Sequence, residues 1–193
     1  ALEHDMIGIA MTNTGTAVLA PGSRTPVVGT NPIAVAAPSG QRAPFVLDMA
    51  TSVVAGGKFD AAQRAGQSVP VGWAMDRDGN PITDPAKRRA NGGGLLPLGG
   101  TPALGGYKGF GLGVMVEIFC GILSGSCASL LKKQRGSDHF FGALKIDGFI
   151  PVTDFKRSMD EMIEAFEALP MLPGFEKIAV AGGLEAQFEK DRR

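Results

Sequence analysis

The sequence predicts a mixed α/β fold of the α+β kind, and three observations support this prediction. An apolar run at 6–12 is followed by shorter apolar runs at 33–37 and 45–47. Two longer segments, at 108–124 and 153–168, have helical patterns. Alternation of strand and helix patterns along one chain is typical of such domains. The chain has 193 residues and neither an internal repeat nor a long linker, so we expect residues 1–193 to form a single domain.

Turn residues separate the elements of the first part of the chain. The strand at 6–12 is expected to end at Asn13-Thr14-Gly15, and the strand at 45–47 to run into Asp48. Ser52 is in position to cap a helix over 53–65 that Gly66 would close. Further turns are expected at 20–23 and at Asn31-Pro32.

The second part contains the strongest helix pattern. After a strand at 72–76 and turns at 77–80 and 84–85, a glycine-rich loop leads into the helix at 108–124. This helix is apolar nearly all round, so we expect it to be buried. Its glycines cost roughly 1 kcal/mol each relative to alanine, which is tolerable if another backbone packs against them. A strand at 140–146 and an amphipathic helix at 153–168 follow.

Composition excludes several classes of function. The formal net charge is zero, which argues against a nucleic-acid partner and against a polybasic membrane contact. The longest apolar run, at 114–123, is too short to span a bilayer. Cys120 and Cys127 lack CxxC spacing and a neighbouring His/Cys cluster, so no metal site is expected. Buried free thiols are typical of a reducing compartment, which predicts a cytoplasmic protein.

Two segments carry ligand-binding character. One is the glycine-rich loop that ends at Lys108 and opens the apolar helix, and the other is the turn at 48–52 after an apolar strand. Glycines let a backbone approach a ligand, and a helix N-terminus beside a lysine favours an anion such as phosphate. Neither segment has the GxGxxG or GxxxxGK[ST] pattern. The residues by themselves therefore predict a phosphorylated or anionic ligand and no more.

Several motifs, in register over nearly the whole chain, resemble the malate/L-lactate dehydrogenase family that is unrelated to the Rossmann-type enzymes. The matching segments are Gly8-Ile-Ala-Met-Thr-Asn13, Gly29-Thr-Asn-Pro32, Phe45-Val-Leu-Asp-Met-Ala-Thr-Ser52, Leu96-Pro-Leu-Gly-Gly100 and Gly106-Tyr-Lys-Gly-Phe-Gly-Leu112. Near the end, Gly182 and Glu185 match a family Pro-Gly-Glu segment more weakly. The resemblance implies a non-Rossmann NAD(P)-binding domain.

The resemblance also implies an activity. It is that of an oxidoreductase, usually a homodimer, that uses NAD or NADP to interconvert a small 2-hydroxy acid, such as malate or lactate, and its 2-oxo acid by hydride transfer. Two alternatives stay open. The chain could be an inactive cofactor-binding or interaction module whose long apolar helix forms an interface, or a relative that reduces a cyclic imino acid.

Family members are longer, and their catalytic histidine lies upstream of the position of Ala1. The chain starts without methionine, so we expect a fragment truncated at both ends. His4 does not match the catalytic histidine. No residue of the chain is therefore assigned a catalytic role, and we expect this fragment to bind cofactor at best.

The resemblance assigns binding roles to seven residues. Those expected to contact the cofactor are Asn13, Thr14, Asp48, Met49, Ala50 and Lys108, and Thr30 is expected to reach the substrate carboxylate through its hydroxyl. Four of them have a plainer alternative. Asn13 and Thr14 could form an ordinary turn, Asp48 could cap a helix, and Lys108 could be a surface lysine.

Three further polar positions are expected to be structural. Glu117 lies inside the apolar helix, and a buried carboxylate needs a partner. We expect it to hydrogen-bond a neighbouring loop. His139, beside two phenylalanines, is expected to be partly buried without a catalytic role. Lys132 and Lys133 are expected to belong to a solvated face.

Overall fold

The computed structural model describes residues 1–90, 92–133, 136–176 and 178–192. The chain divides into two compact units. The first consists of residues 1–10, 34–48 and 141–193, and the second of residues 11–33 and 49–140. A single cofactor-binding domain over residues 1–193 stays a prediction. No helix among the described residues combines the length and the apolar character needed to cross a bilayer.

The mixed α/β class is confirmed. In chain order the strands are β1 (Met6–Thr12), β2 (Val18–Leu19), β3 (Pro26–Val28), β4 (Ile33–Ala37), β5 (Phe45–Met49), β6 (Ala74–Met75), β7 (Gly94–Leu95) and β8 (His139–Lys145). The α-helices are α1 (Gly56–Arg64), α2 (Lys87–Ala90), α3 (Gly106–Val116), α4 (Val152–Glu167) and α5 (Gly183–Asp191). One sheet has the order β5-β4-β1-β8, and the other has the order β3-β2-β7-β6.

In the first unit, helix α4 is tied to the loop that follows β4. Ile163 is the buried residue of its apolar face. The carboxylate of Asp160 accepts the backbone N–H groups of Gly40, Gln41 and Arg42 at 2.8–3.1 Å. These bonds, led by the one from Gln41, hold the pKa of Asp160 below its ordinary value. Arg42 then reaches Glu164 on the next turn of the helix at 3.1 Å.

In the second unit, the sheet β3-β2-β7-β6 contributes to the hydrophobic core. Strand β2 pairs antiparallel with β3 and parallel with β7, which pairs antiparallel with β6. Phe59 of α1 is 1% exposed, and its ring lies 5.8 Å from that of Trp73. The core cluster comprises Val18, Val28, Val54, Phe59, Val69, Ala74, Ile82 and Leu95. Burial of these side chains is the main stabilising contribution in this unit.

Helix α3 is buried on one face only, so the expectation of burial all round was wrong. Beyond Val116 the helix continues with π-helical geometry over Glu117–Ile122. The buried positions are Gly106, Gly109, Gly113, Val116, Glu117, Cys120 and Gly121. On the opposite face, Leu112, Ile118 and Ile122 are 36–56% exposed. The buried positions recur every three or four residues, which places them on one face of the helix.

Two predicted boundaries differ from the structure. Strand β5 extends through Met49, so Asp48 lies in a strand instead of the turn predicted after it. Its side chain is exposed, as is that of Val46 two residues earlier, because alternate residues of a strand share a face. Helix α1 begins at Gly56, and Ser52 does not cap it. The Ser52 hydroxyl donates to the carbonyl of Val54 at 2.9 Å instead.

The helix glycines fall into two groups. A Cβ on Gly109 would overlap the backbone of Leu98, and one on Gly121 would lie 2.7 Å from the carbonyl oxygen of Cys127. Close backbone contact therefore explains these two positions, as expected for Gly121. Gly111 has open space around the position of its Cβ.

The two groups predict opposite effects of alanine. Gly111→Ala should raise the free energy of unfolding by roughly 0.5–1 kcal/mol, because alanine has the higher helix propensity. Gly109→Ala should lower the free energy of unfolding, because the added methyl group overlaps the Leu98 backbone. Urea denaturation of both variants measures the two changes. A stabilising Gly109→Ala would contradict the packing described here.

Candidate functional site

Four loops of the second unit are gathered by one series of hydrogen bonds. The N–H of Thr30 donates to the hydroxyl of Thr14 at 3.1 Å. The carbonyl of Thr30 accepts the N–H of Thr51 at 2.9 Å, and the carbonyl of Thr51 accepts the N–H of Leu98 at 2.9 Å. The ends of β1, β3 and β5 and the glycine-rich loop before α3 therefore meet at one place.

Gly29 allows the first two of these loops to approach each other. It is buried, and a Cβ at this position would overlap the hydroxyl and carbonyl oxygens of Thr14 and the side-chain oxygen of Asn31. A larger residue would push the Thr14 and Thr30 backbones apart. The sequence Gly29-Thr-Asn-Pro32 is thus suited to bring two loops into contact.

Asn31 is fully buried and has the positive φ of +39° that asparagine tolerates better than most residues. Its side-chain oxygen accepts the N–H of Thr14 at 3.0 Å. Its side-chain nitrogen donates to the carbonyl of Gly113 at 2.9 Å and to the carboxylate of Glu117 at 2.8 Å. The Asn31 amide therefore joins the Thr14 loop to the helix.

Glu117 is 4% exposed, and its carboxylate accepts four hydrogen bonds. Oε1 accepts Nδ2 of Asn31, while Oε2 accepts Nδ2 of Asn13 at 3.3 Å and the N–H and hydroxyl of Ser129 at 2.8 and 3.0 Å. The expectation that Glu117 bonds a neighbouring loop is confirmed. The π-helical widening of the helix begins at this residue, a geometry common at functional positions.

A second polar cluster surrounds Asn13, which is also fully buried. Its side-chain oxygen accepts the N–H of Asp138 at 2.7 Å and the ammonium of Lys132 at 3.4 Å. Lys132 also pairs with the Asp138 carboxylate at 2.6 Å, and the hydrogen bond from Lys132 is the main reason why the pKa of Asp138 lies below its ordinary value. The Lys132 side chain is 11% exposed, so its placement on a solvated face was wrong.

Lys108 lies in the first turn of α3, where the N-cap residue is Gly105 and no side chain caps the helix. The lysine is exposed, and its Nζ lies 5.8 Å from the centre of the Tyr107 ring. No carboxylate of the described residues lies within 4.0 Å of its Nζ. The positive charge therefore adds to the positive end of the helix dipole without an acidic partner in the described part of the chain.

Asp48 lies in the first unit and lines a cavity of about 710 Å³. Segment 179–182 runs along β5, where Val46 donates its N–H to the carbonyl of Ala181 at 3.0 Å. The next residue, Gly182, has a φ of +87° and precedes α5, a helix that the sequence reasoning did not predict. Glu185 and Glu189 line the same cavity, which is therefore acidic.

The structure brings together Asn13, Thr14 and Thr30 of the predicted site residues. Met49 and Ala50, both half-buried, directly precede Thr51, which bonds the Thr30 loop. Sequence reasoning missed the roles of three residues in this network, Asn31, Thr51 and Ser129. The only signal for Asn31 was its place in the Gly29-Thr-Asn-Pro32 motif, where a turn role was assigned.

His139 corrects another expectation. Its side chain is exposed instead of partly buried, and its Nδ1 lies 2.9 Å from the hydroxyl of Thr12.

Both cysteines are free, as expected, and Cys120 is buried. Burial raises the pKa of the Cys120 thiol. Within the described ranges, no group of three or more His, Cys, Asp or Glu side chains is arranged to hold a metal ion.

Comparisons of the sequence and of the structure with known proteins agree on one family. Residues 1–193 match the sequence profile described as malate/L-lactate dehydrogenase. The chain is 47% identical over 188 residues to a malate dehydrogenase of Pyrococcus horikoshii, covering 94% of this chain and 52% of that protein. It is 45% identical over 123 residues to a Delta(1)-pyrroline-2-carboxylate/Delta(1)-piperideine-2-carboxylate reductase of Pseudomonas putida, covering 64% and 34% respectively.

A solved structure extends the match to the fold. The crystal structure of malate dehydrogenase from Entamoeba histolytica superposes with a TM-score of 0.91 at 31% identity, covering all of this chain and 57% of that one. The chain thus spans about half the length of these two malate dehydrogenases. It belongs to the malate/L-lactate dehydrogenase family, as its motifs indicated.

The Lys132–Asp138 pair predicts a pH-dependent contribution to stability. Lys132→Met should return the pKa of Asp138 towards its ordinary value, because the hydrogen bond that favours the carboxylate is lost. A depressed folded-state pKa stabilises the fold above the ordinary value, and this contribution disappears as the pH falls through the folded-state pKa. The variant should therefore be less stable than the wild type at pH 7, and this difference should close below about pH 4.

Carboxyl NMR titration of Asp138 and urea denaturation at several pH values measure these two effects. Lys133→Met is the matched control, since the neighbouring lysine is exposed. An unchanged Asp138 titration in Lys132→Met would contradict the assignment.

Proposed function

We propose that this member of the malate/L-lactate dehydrogenase family provides the cofactor-binding part of an oxidoreductase that uses NAD or NADP to interconvert a small 2-hydroxy acid and its 2-oxo acid. Malate and lactate-like acids are the proposed substrates. When bound, the nicotinamide ring would donate or accept the hydride. No residue of the chain is assigned the transfer of the hydroxyl proton.

The observation that carries this proposal is the hydrogen-bonded series Thr14–Thr30–Thr51–Leu98. It fixes three strand ends beside a glycine-rich loop that opens a helix with a lysine in its first turn. Binding sites are often built from loops that a rigid scaffold holds in place. The residues present fit a dinucleotide, because they supply a cation for phosphate together with threonine hydroxyl groups for sugar and nicotinamide.

We propose individual roles for these residues. Lys108 would hold the cofactor phosphates, since its charge has no carboxylate within 4.0 Å among the described residues and stands at the start of α3. Thr14, Met49 and Ala50 would contact the nicotinamide ribose or its amide, and Asn13, which is fully buried, would act through the neighbouring Thr14. Asp48, in the first unit, stays a predicted cofactor contact. The Thr30 hydroxyl would bond the substrate carboxylate.

A second candidate is the reduction of a cyclic imino acid. The similarity to the Pseudomonas putida reductase over 123 residues favours it. This reaction would use the same cofactor residues and differ in the group that receives the hydride. A panel of 2-oxo acids and cyclic imino acids, tested with the full-length protein, separates the two candidates.

We also propose that the protein is a homodimer. The exposed face of α3 and of the π-helical segment after it carries the apolar side chains of Leu112, Ile118 and Ile122. Exposed contiguous apolar surface is typical of protein–protein contacts. The sequence left open that the long apolar helix forms an interface, and these three residues would belong to it.

Titration with NADH and NADPH tests the cofactor site directly. Energy transfer from Trp73, the single tryptophan, to the reduced nicotinamide reports binding. We expect saturable binding that Lys108→Ala weakens about tenfold, the equivalent of ~1.4 kcal/mol, because one charge-assisted contact to phosphate is lost. The tighter of the two cofactors defines the preference.

Lys58→Ala is the matched control, because Lys58 is an exposed lysine on α1 of the same unit. It should bind cofactor like the wild type. Wild-type affinity in Lys108→Ala would remove this lysine from the site, and a folded chain that binds neither cofactor would contradict the proposed function.

Sedimentation velocity tests the dimer. Ile122→Asp should shift the protein towards the monomer, since a carboxylate in an apolar contact must lose its hydration. Val71→Asp is the control, because Val71 is 71% exposed outside α3. Equal self-association in both variants, or a monomeric wild type, would argue against this interface.

A further inference from the structure

We propose that Glu117 is a positioning residue for the cofactor site: its carboxylate fixes the amides of Asn13 and Asn31 and, through them, the backbone of Thr14 and Thr30. The inference rests on the proposed function, because it assigns these loops to the cofactor and substrate. Glu117 itself is 4% exposed and is not proposed to touch either ligand.

The first step is the orientation of the Asn31 amide. A carboxylate oxygen only accepts hydrogen bonds, and an amide nitrogen only donates them. Oε1 of Glu117 therefore requires the nitrogen of Asn31 on its side, at 2.8 Å. The Asn31 oxygen must then point the other way, and there it accepts the N–H of Thr14 at 3.0 Å.

The same logic holds for Asn13. Its nitrogen donates to Oε2 of Glu117 at 3.3 Å, and its oxygen accepts the N–H of Asp138 at 2.7 Å. One carboxylate thus sets the orientation of two fully buried amides, each on a different loop. Thr14 transmits the constraint onward, because its hydroxyl accepts the N–H of Thr30.

A buried acid at this position is better explained by the orientation it gives to neighbouring groups than by a contribution to the stability of the fold. Removing a carboxylate from water is unfavourable, and an apolar side chain of similar volume commonly stabilises a core as well or better. No Lys, Arg or His nitrogen in the described part of the chain lies within 4.0 Å of the Glu117 carboxylate. Its bonds go to Asn13, Asn31 and Ser129, and two of these three residues bear directly on the loops of the candidate site.

Glu117→Gln tests the inference, because it keeps the shape of the side chain and replaces one acceptor oxygen by a donor NH₂ group. That group must face another donor, either the Asn31 nitrogen or the Asn13 and Ser129 donors. We expect amide hydrogen exchange at Thr14 and Thr30 to become about tenfold faster, and NADH or NADPH affinity to fall about tenfold. Glu161→Gln is the control, since the same chemical change falls on an exposed carboxylate of α4.

A purely structural role gives a different result. The melting temperature would fall, exchange at core amides such as Leu95 would accelerate in parallel with Thr14, and the folded protein would keep its wild-type cofactor affinity. That pattern would overturn the inference, as would unchanged exchange at Thr14 and Thr30. The proposed function would survive both results if the wild type binds cofactor.

Asn31→Gly keeps the test decisive if Glu117→Gln fails to fold. Glycine accepts the φ of +39° and removes the amide that links Glu117 to Thr14. We expect the same loss of affinity, and no further loss when the two substitutions are combined, because they break one linkage. Wild-type affinity in a folded Asn31→Gly variant, or losses that multiply in the double variant, would overturn the inference. A folded wild type that binds neither cofactor would instead overturn the proposed function on which it rests.

Discussion

The buried carboxylate of Glu117 imposes the main constraint on the second unit. A carboxyl group that is 4% exposed inside an apolar helix needs hydrogen-bond partners, and here the donors come from segments 12, 86 and 104 residues away. Meeting that requirement brings the ends of β1 and β3 and the Ser129 segment against the same stretch of helix. The arrangement of the candidate site therefore depends on the hydrogen bonds that the Glu117 carboxyl group accepts.

Glycine makes the constraint sterically possible. Gly29 lets the Thr14 and Asn31 loops touch, Gly109 accepts the backbone of Leu98, and Gly121 accepts that of Cys127. At each of these positions a Cβ would overlap a neighbouring segment, so the segments lie closer together than any larger residue would allow. The helix consequently has a tightly packed glycine-bearing face and an opposite apolar face that remains exposed.

The two faces of the helix correspond to two proposed roles, cofactor binding and dimer formation. The packed face holds the loops that are proposed to bind cofactor and substrate, and the first turn presents Lys108 to solvent without a carboxylate nearby in the described chain. The exposed face offers apolar surface for a second subunit. Helix α3 and the π-helical segment after it would thus link cofactor binding and assembly, while Glu117 would hold the geometry of the site.

The sequence by itself determined the elements that depend on neighbouring residues. Apolar runs and turn residues defined β1 and β4, three- and four-residue spacing defined α4, and the ordered motifs identified the family. Tertiary structure alone decided that Asp48 lies within β5, that Ser52 caps no helix, that Lys132 pairs with Asp138, and that Asn31 carries the link from Glu117 to Thr14. The reason is physical: each of these outcomes depends on partners distant in the chain or on the course of a neighbouring backbone, which a local pattern cannot specify.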